Sequence, residues 1–208
     1  LVDKKKSIKA LLPPVGVLVV LAASLICSFV PALASVCIFD RQAVLHGQLW
    51  RLITCHLVHF SFVHFTYDAL AFGVAGAIFR KKHYPYFVSF CLLAAICISG
   101  LLLLLKPHMA FYGGLSGIAC GALYFCALLG LLESGPWQKV CLLTALFLPG
   151  KIAMEFLTGA PMLPYGNYQT FIPVQESHVI GCFVAVLFYL GRNISISGSH
   201  PLIDQGRD

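Results

Sequence analysis

The chain has 208 residues, of which 59% are hydrophobic and 11% charged, against about 25% charge in an ordinary soluble domain. It cannot cover itself with polar surface, which excludes a soluble globular fold and points to one all-α membrane domain with little left for a separate module. The net charge of +6 comes without a basic stripe or aromatic–basic interleaving, so it reads as an insertion signal, and no nucleic-acid partner is expected.

Taken in chain order, residues 1–11 form a lysine-rich N-terminal segment, residues 12–193 the membrane domain, and residues 194–208 a tail. Six hydrophobic segments qualify as spans, roughly 12–34, 57–79, 86–105, 111–132, 140–157 and 174–190. The fold expected is therefore a polytopic bundle of six transmembrane helices. A β-barrel would need short alternating strands, and none is visible. Residues 46–64, HGQLWRLITCHLVHFSFVH, join the first two spans. Their mix of Trp50, Arg51, phenylalanines and histidines suits a short helix or hairpin at the headgroup level. The basic residues Lys4, Lys5, Lys6, Lys9, the RKKH run at 80–83, Lys139, Arg192 and Arg207 fall at the termini and the even-numbered links. That side is expected to face the cytoplasm.

Nine cysteines first suggest a disulfide scaffold. Six of them, Cys91, Cys97, Cys120, Cys126, Cys141 and Cys182, lie in apolar runs and no CxxC pair exists, so they read as buried small hydrophobes. Cys37 and Cys55 flank the first external loop and are the one pair placed to bridge.

The polar residues inside the spans carry the functional argument. His64 and Asp68 in the second span, Ser116 in the fourth, Lys151 and Glu155 in the fifth, and Glu176 and His178 in the sixth all fall in the outer half. Such groups are costly in lipid, so they should face the bundle or a water-filled cavity. A serine hydroxyl needs a base within about 3 Å to become a nucleophile, and imidazole suits that role. Ser116 and His178 are that pair. Gly117 and Gly121 form a GxxxG step, and His178, Gly181 and Ala185 share one helical face, so the two spans can approach closely. Gly113 and Gly114 permit an irregular backbone whose N–H groups could face a substrate oxygen. His64 could donate to an oxyanion, and Asp68 could orient a histidine or donate while protonated. Lys151 and Glu155, spaced i, i+4, read first as mutual neutralisation, with substrate support as a second role. A metal site from His56, His59, His64 and Asp68 ranks low, because no HExxH and no cysteine–histidine ligand set occurs. No metal and no cofactor is expected. His46, His83, His108 and His200 carry no assigned role. The loop 162–176 reads as a structured cap.

These residues resemble the rhomboid family of intramembrane serine proteases. Trp50-Arg51 resembles the family's first-loop WR element, HFSFVHFTYD at 59–68 its histidine-rich second span, GGLSG at 113–117 its GxSG nucleophile motif, and SHVIG at 177–181 its AHxxG motif. The resemblance implies a rhomboid-like bundle with Ser116 as nucleophile, His178 as base, and His64 and Gly114 on the oxyanion side. Asp68 stands where the family usually has asparagine. An ionised carboxylate would repel the oxyanion, so the alternative is a catalytically impaired membrane-protein binder. A narrower resemblance, carried by residues 41–59, YGGLSG at 112–117 and PGKIAMEFLTG at 149–159, is to the rhombosortases. It implies a bacterial inner-membrane enzyme, both termini cytoplasmic, that cleaves membrane-anchored protein substrates near C-terminal Gly-Gly-type anchors at the outer face. The lipid bilayer is the other expected partner.

Overall fold

The computed structural model describes residues 13–162 and 174–197, side chains of 193–197 excepted. The basic N-terminal segment, most of the expected cap and the tail beyond residue 197 lie outside the described residues. The first apolar segment is two helices, α1 (Val15–Phe29) and α2 (Pro31–Cys37), bent from each other by 107°. Pro31 is the cause: it disfavours helical backbone at the preceding residue, and Val30 is extended at φ −104° and ψ 104°. The chain then runs through β1 (Phe39–Asp40), α3 (Arg41–Leu45), α4 (Arg51–Thr54) and a 3-10 turn at Cys55–Leu57. Between the first two apolar segments the chain is helical in short pieces. The buried Arg51 ties it down. Its Nη1 donates to the Ser35 and Ile38 carbonyls at 2.8 and 2.7 Å, and its Nε to Gln48 Oε1 at 2.8 Å. Trp50 is half exposed and donates to the Val36 carbonyl. Both residues hold the loop to the backbone of residues 35–38.

Five further elements come next: α5 (Phe62–Lys82), α6 (Phe87–Leu105), β2 (Phe111–Tyr112), α7 (Ser116–Gly130) and α8 (Pro136–Thr158). They are followed by α9 (Gln175–Ser197). The two short strands pair antiparallel, Phe39 with Tyr112 and Asp40 with Phe111, and so clip the first loop to the chain entering α7.

The all-α membrane bundle stands, but the six-span count does not. Among the described residues, three helices are long and apolar enough to cross, namely α5, α6 and α8, or four if the bent pair α1–α2 is one span. The reasons are local. The bend at Pro31 splits the first segment. The glycines at 113 and 114 delay the start of α7, which at 15 residues is about 22 Å long and falls short of the roughly 30 Å hydrocarbon layer. Eleven of those 15 residues are buried, so α7 is the inside of the bundle and not a lipid-facing rod. The helix α9 opens with Glu176 and His178 and is not among the long apolar ones.

Helix α7 packs most extensively on α9, then on α5 and α8. The glycine step explains the first contact. A Cβ at Gly121 would lie 2.5 Å from the carbonyl oxygen of Gly181, and one at Gly181 would overlap the carbonyl oxygen of Gly117. Backbone thus meets backbone, as small residues allow. Elsewhere the core is aromatic: Phe79, Phe90, Phe125 and Phe188 lie with centroids 5.4 to 5.9 Å apart, in the range where ring pairs attract. All nine cysteines are free. Cys37 faces Cys27, with sulfurs 3.9 Å apart, and does not reach Cys55.

Candidate active site

Ser116 is the first residue of α7, directly after the loop that carries Gly113 and Gly114. That loop is held from below. Gly114 N–H donates to the Cys55 carbonyl at 3.2 Å, and His56 Nδ1 lies 3.2 Å from the Gly114 carbonyl. His56 Nε2 faces the Ala95 carbonyl at 3.0 Å. Burial pushes the His56 pKa down, so its imidazole is neutral near pH 7 and donates to one carbonyl at a time. Gly114 has φ +128°, and a Cβ there would sit 2.9 Å from His64 Cε1. Glycine is required on both counts, conformation and space. Its N–H, however, is committed to Cys55. The backbone donors left ahead of the first intrahelical acceptor are those of the first turn of α7, from Ser116 to Ile118.

A cavity of about 110 Å³ is lined by Asp68, Ser116, Cys120, Lys151 and His178, among others. The sequence expected these polar groups at one depth; the fold brings them to one space. His64 and Glu155 are not among its lining residues. Glu176 turns away and pairs with Lys106 Nζ at 2.5 Å.

His178 is 6% exposed. Its Nδ1 lies 3.5 Å from Glu155 Oε2, within ion-pair reach although no hydrogen bond forms. Glu155 is 2% exposed and accepts from several sides. Lys151 Nζ lies 2.7 Å from both of its carboxylate oxygens, and the Met162 N–H donates to Oε1 at 3.0 Å. The Lys151–Glu155 pairing expected from spacing is present. The turn of its carboxylate toward His178 was not visible in the sequence, because α8 and α9 must pack before the two residues meet. Ser116 Oγ makes no hydrogen bond to a described residue. With Nδ1 turned to Glu155, Nε2 is the nitrogen of His178 left for the cavity.

Asp68 is buried at 3% exposure. Its Oδ2 lies 3.0 Å from His59 Nε2 and 3.3 Å from His64 Nε2. Ser61 caps α5, its Oγ accepting from His64 N–H at 3.1 Å, and this sets His64 one turn before Asp68. His59 was passed over as a site residue. Its spacing of nine residues to Asp68 follows no helical period because Phe60 and Ser61 precede the helix. Only the turn at the start of α5 folds it back.

A family model described as Rhomboid domain matches residues 46–193. The chain belongs to the rhomboid family. A search of the curated proteins finds no match. The rhomboid match covers every cavity residue named above, and it begins before Trp50 and ends after His178, so the whole site lies in the domain.

Proposed function

We propose that this rhomboid-family protein is an intramembrane serine endopeptidase acting on membrane-anchored protein substrates through Ser116 and His178. The observation that carries the reading is the shared cavity: a serine at a helix N-terminus and a histidine with one nitrogen turned to a carboxylate line the same small space. Ser116 Oγ attacks the substrate carbonyl while His178 Nε2 takes its proton. The same proton passes to the leaving amine, the C–N bond breaks, and an ester to Ser116 remains. Water, deprotonated by His178, then hydrolyses that ester and restores the serine. The N–H groups at the start of α7 and the helix dipole stabilise the developing oxyanion, with His64 beside them. Incubating purified protein with an anchored substrate, and finding a new free carboxylate on the product, tests the reaction.

The resemblance of residues 149–159 and 112–117 to rhombosortases supports a narrower substrate class, proteins with C-terminal Gly-Gly-type anchors. The basic RKKH run closing α5 supports an inner-membrane orientation with that end in the cytoplasm and cleavage near the outer face. A phosphatase reporter fused after Lys82 should be inactive; an active one overturns the orientation.

Glu155 is a positioning residue on this reading. Its charge favours the imidazolium that forms on His178, although Lys151 takes much of that charge. Glu155→Gln should therefore lower turnover on the order of 10-fold, less than the about 10⁴-fold of a fully committed triad carboxylate. KM should change little, so the loss falls on kcat, and Glu155→Asp should restore part of it. Unchanged kcat in Glu155→Gln makes Glu155 a partner of Lys151 alone.

One observation favours a second reading, a catalytically impaired binder. His64 Nε2 faces Asp68 Oδ2 at 3.3 Å, which engages the nitrogen that the oxyanion would need. Binding of an anchored substrate without cleavage, equal in wild type and Ser116→Ala, would establish it.

A further inference from the structure

The residues around Asp68 hold a chemistry that peptide hydrolysis does not use. One ligand atom from each of His59, His64 and Asp68 lies within 4.8 Å of the others, and all three residues are buried. Both Nε2 atoms converge on the same oxygen, at 3.0 and 3.3 Å.

The hydrogen bonds behind His59 decide what its Nε2 offers. Ser24 Oγ donates to the Leu57 carbonyl at 2.9 Å, and Ser28 Oγ donates to the Ser24 carbonyl at 2.7 Å. Ser28 Oγ also reaches the Leu57 carbonyl at 3.1 Å, so it is the Leu115 N–H donating to His59 Nε2, and not the serine protons, that marks Nε2 as the acceptor nitrogen. His59 Nδ1, 3.1 Å from Ser24 Oγ, is then the donor of that contact. Its Nε2 carries a lone pair, which receives the Leu115 N–H at 3.3 Å and confronts Asp68 Oδ2 at 3.0 Å. A lone pair against a carboxylate oxygen at that distance is repulsive unless a positive centre lies between them. A proton on Asp68 relieves one such contact. A divalent cation relieves the whole cluster.

We propose that His59, His64 and Asp68 form a binding site for a divalent transition cation of the zinc class. Metal–nitrogen and metal–oxygen bonds of about 2.0–2.2 Å in a tetrahedral site put neighbouring ligand atoms about 3.3 Å apart; the two nitrogen–oxygen separations match this, and the set as a whole, within 4.8 Å, closes on an ion by small rotations of the two imidazoles. Ser24 Oγ on the far nitrogen of His59 is the outer hydrogen bond that orients a metal-bound imidazole. Asp68 also lines the cavity beside Ser116, so a fourth position opens there for water. His56 is excluded, because both of its ring nitrogens face backbone carbonyls. Spacing alone does not join His59 to His64 and Asp68, because His59 lies outside the helix and only its turn-back completes the set.

The test uses the full chain in detergent micelles, with Zn²⁺ and Co²⁺ as probes and no substrate. After equilibration and desalting, the wild type should retain one Zn²⁺ per chain, removable by a chelator. Asp68→Asn and His59→Gln should each lose it, while His46→Ala, at an exposed position, should keep it. Zn²⁺ should raise the wild-type Tm by about several degrees and leave that of Asp68→Asn unmoved. Co²⁺ should give the visible bands of a tetrahedral nitrogen–oxygen site. A thiolate-to-cobalt charge-transfer band would instead assign the ion to Cys120 and Cys182, whose sulfurs lie 3.7 Å apart, and would overturn the proposal. So would no bound metal in the wild type, or equal binding in Asp68→Asn. Should a variant fail to fold, the wild-type Co²⁺ spectrum alone decides. A metal here would take the place of the proton on His64 Nε2, so that nitrogen could not donate to the oxyanion, and Zn²⁺ should inhibit cleavage. That consequence rests on the protease reading; the binding measurements do not, and either can fail alone.

Discussion

On the proposed protease reading, Ser116→Ala should abolish cleavage of an anchored substrate, with a loss on the order of 10⁴-fold or more. The magnitude follows from the role: a nucleophile and its base act as a unit, and removing either loses nearly all of the covalent pathway. His178→Ala should match it, and the double variant should be no worse than either single one. Stability provides the control. Ser116 Oγ makes no hydrogen bond to a described residue, so its loss leaves none of them unsatisfied, and the unfolding free energy should stay within about 1 kcal/mol of wild type. A serine-directed fluorophosphonate should label the wild type and not Ser116→Ala. Cleavage retained in Ser116→Ala removes Ser116 as the nucleophile, whatever the family.

Gly181→Ala should destabilise the protein by about 1–3 kcal/mol or more and reduce cleavage on the order of 100-fold. The added methyl would overlap the Gly117 carbonyl oxygen and lie 3.4 Å from the Gly121 nitrogen. These are backbone atoms, so no rotamer change relieves the clash; α7 and α9 must separate. Gly117 follows Ser116 on α7, and His178 sits about one turn before Gly181 on α9. Separation therefore acts directly on the distance between nucleophile and base, where 1 Å of misplacement can cost about 100-fold. Thermal unfolding in detergent and a cleavage assay read the two effects. Gly100→Ala on α6, where nothing lies within 4 Å of the added Cβ, is the matched control and should be neutral or stabilising by up to about 1 kcal/mol. Equal behaviour of the two variants would mean that α7 and α9 do not touch backbone to backbone.

The sequence by itself determined what depends on local order. Apolar content placed the chain in a membrane and in helices. The i, i+4 rule paired Lys151 with Glu155, and i, i+3, i+7 spacing put His178, Gly181 and Ala185 on one face. The polar residues of separate segments fell at one depth, and several of them line one cavity. Tertiary structure decided the rest. Hydropathy counts apolar residues but not where a helix begins, bends or is buried, so where six spans were expected, Pro31, the loop at Gly113–Gly114 and the polar start of α9 leave three long apolar helices among the described residues, or four with the bent pair. The Gly114 N–H looked free for an oxyanion until the Cys55 carbonyl, 59 positions away in sequence, was placed beneath it. Glu155 reaches His178 only because α8 packs beside α9, and His59 joins Asp68 only because the turn at Phe60–Ser61 reverses the chain. Spacing describes neighbours along one helix. Contacts between helices depend on crossing geometry and loop conformation, which are set by the packing of the whole bundle.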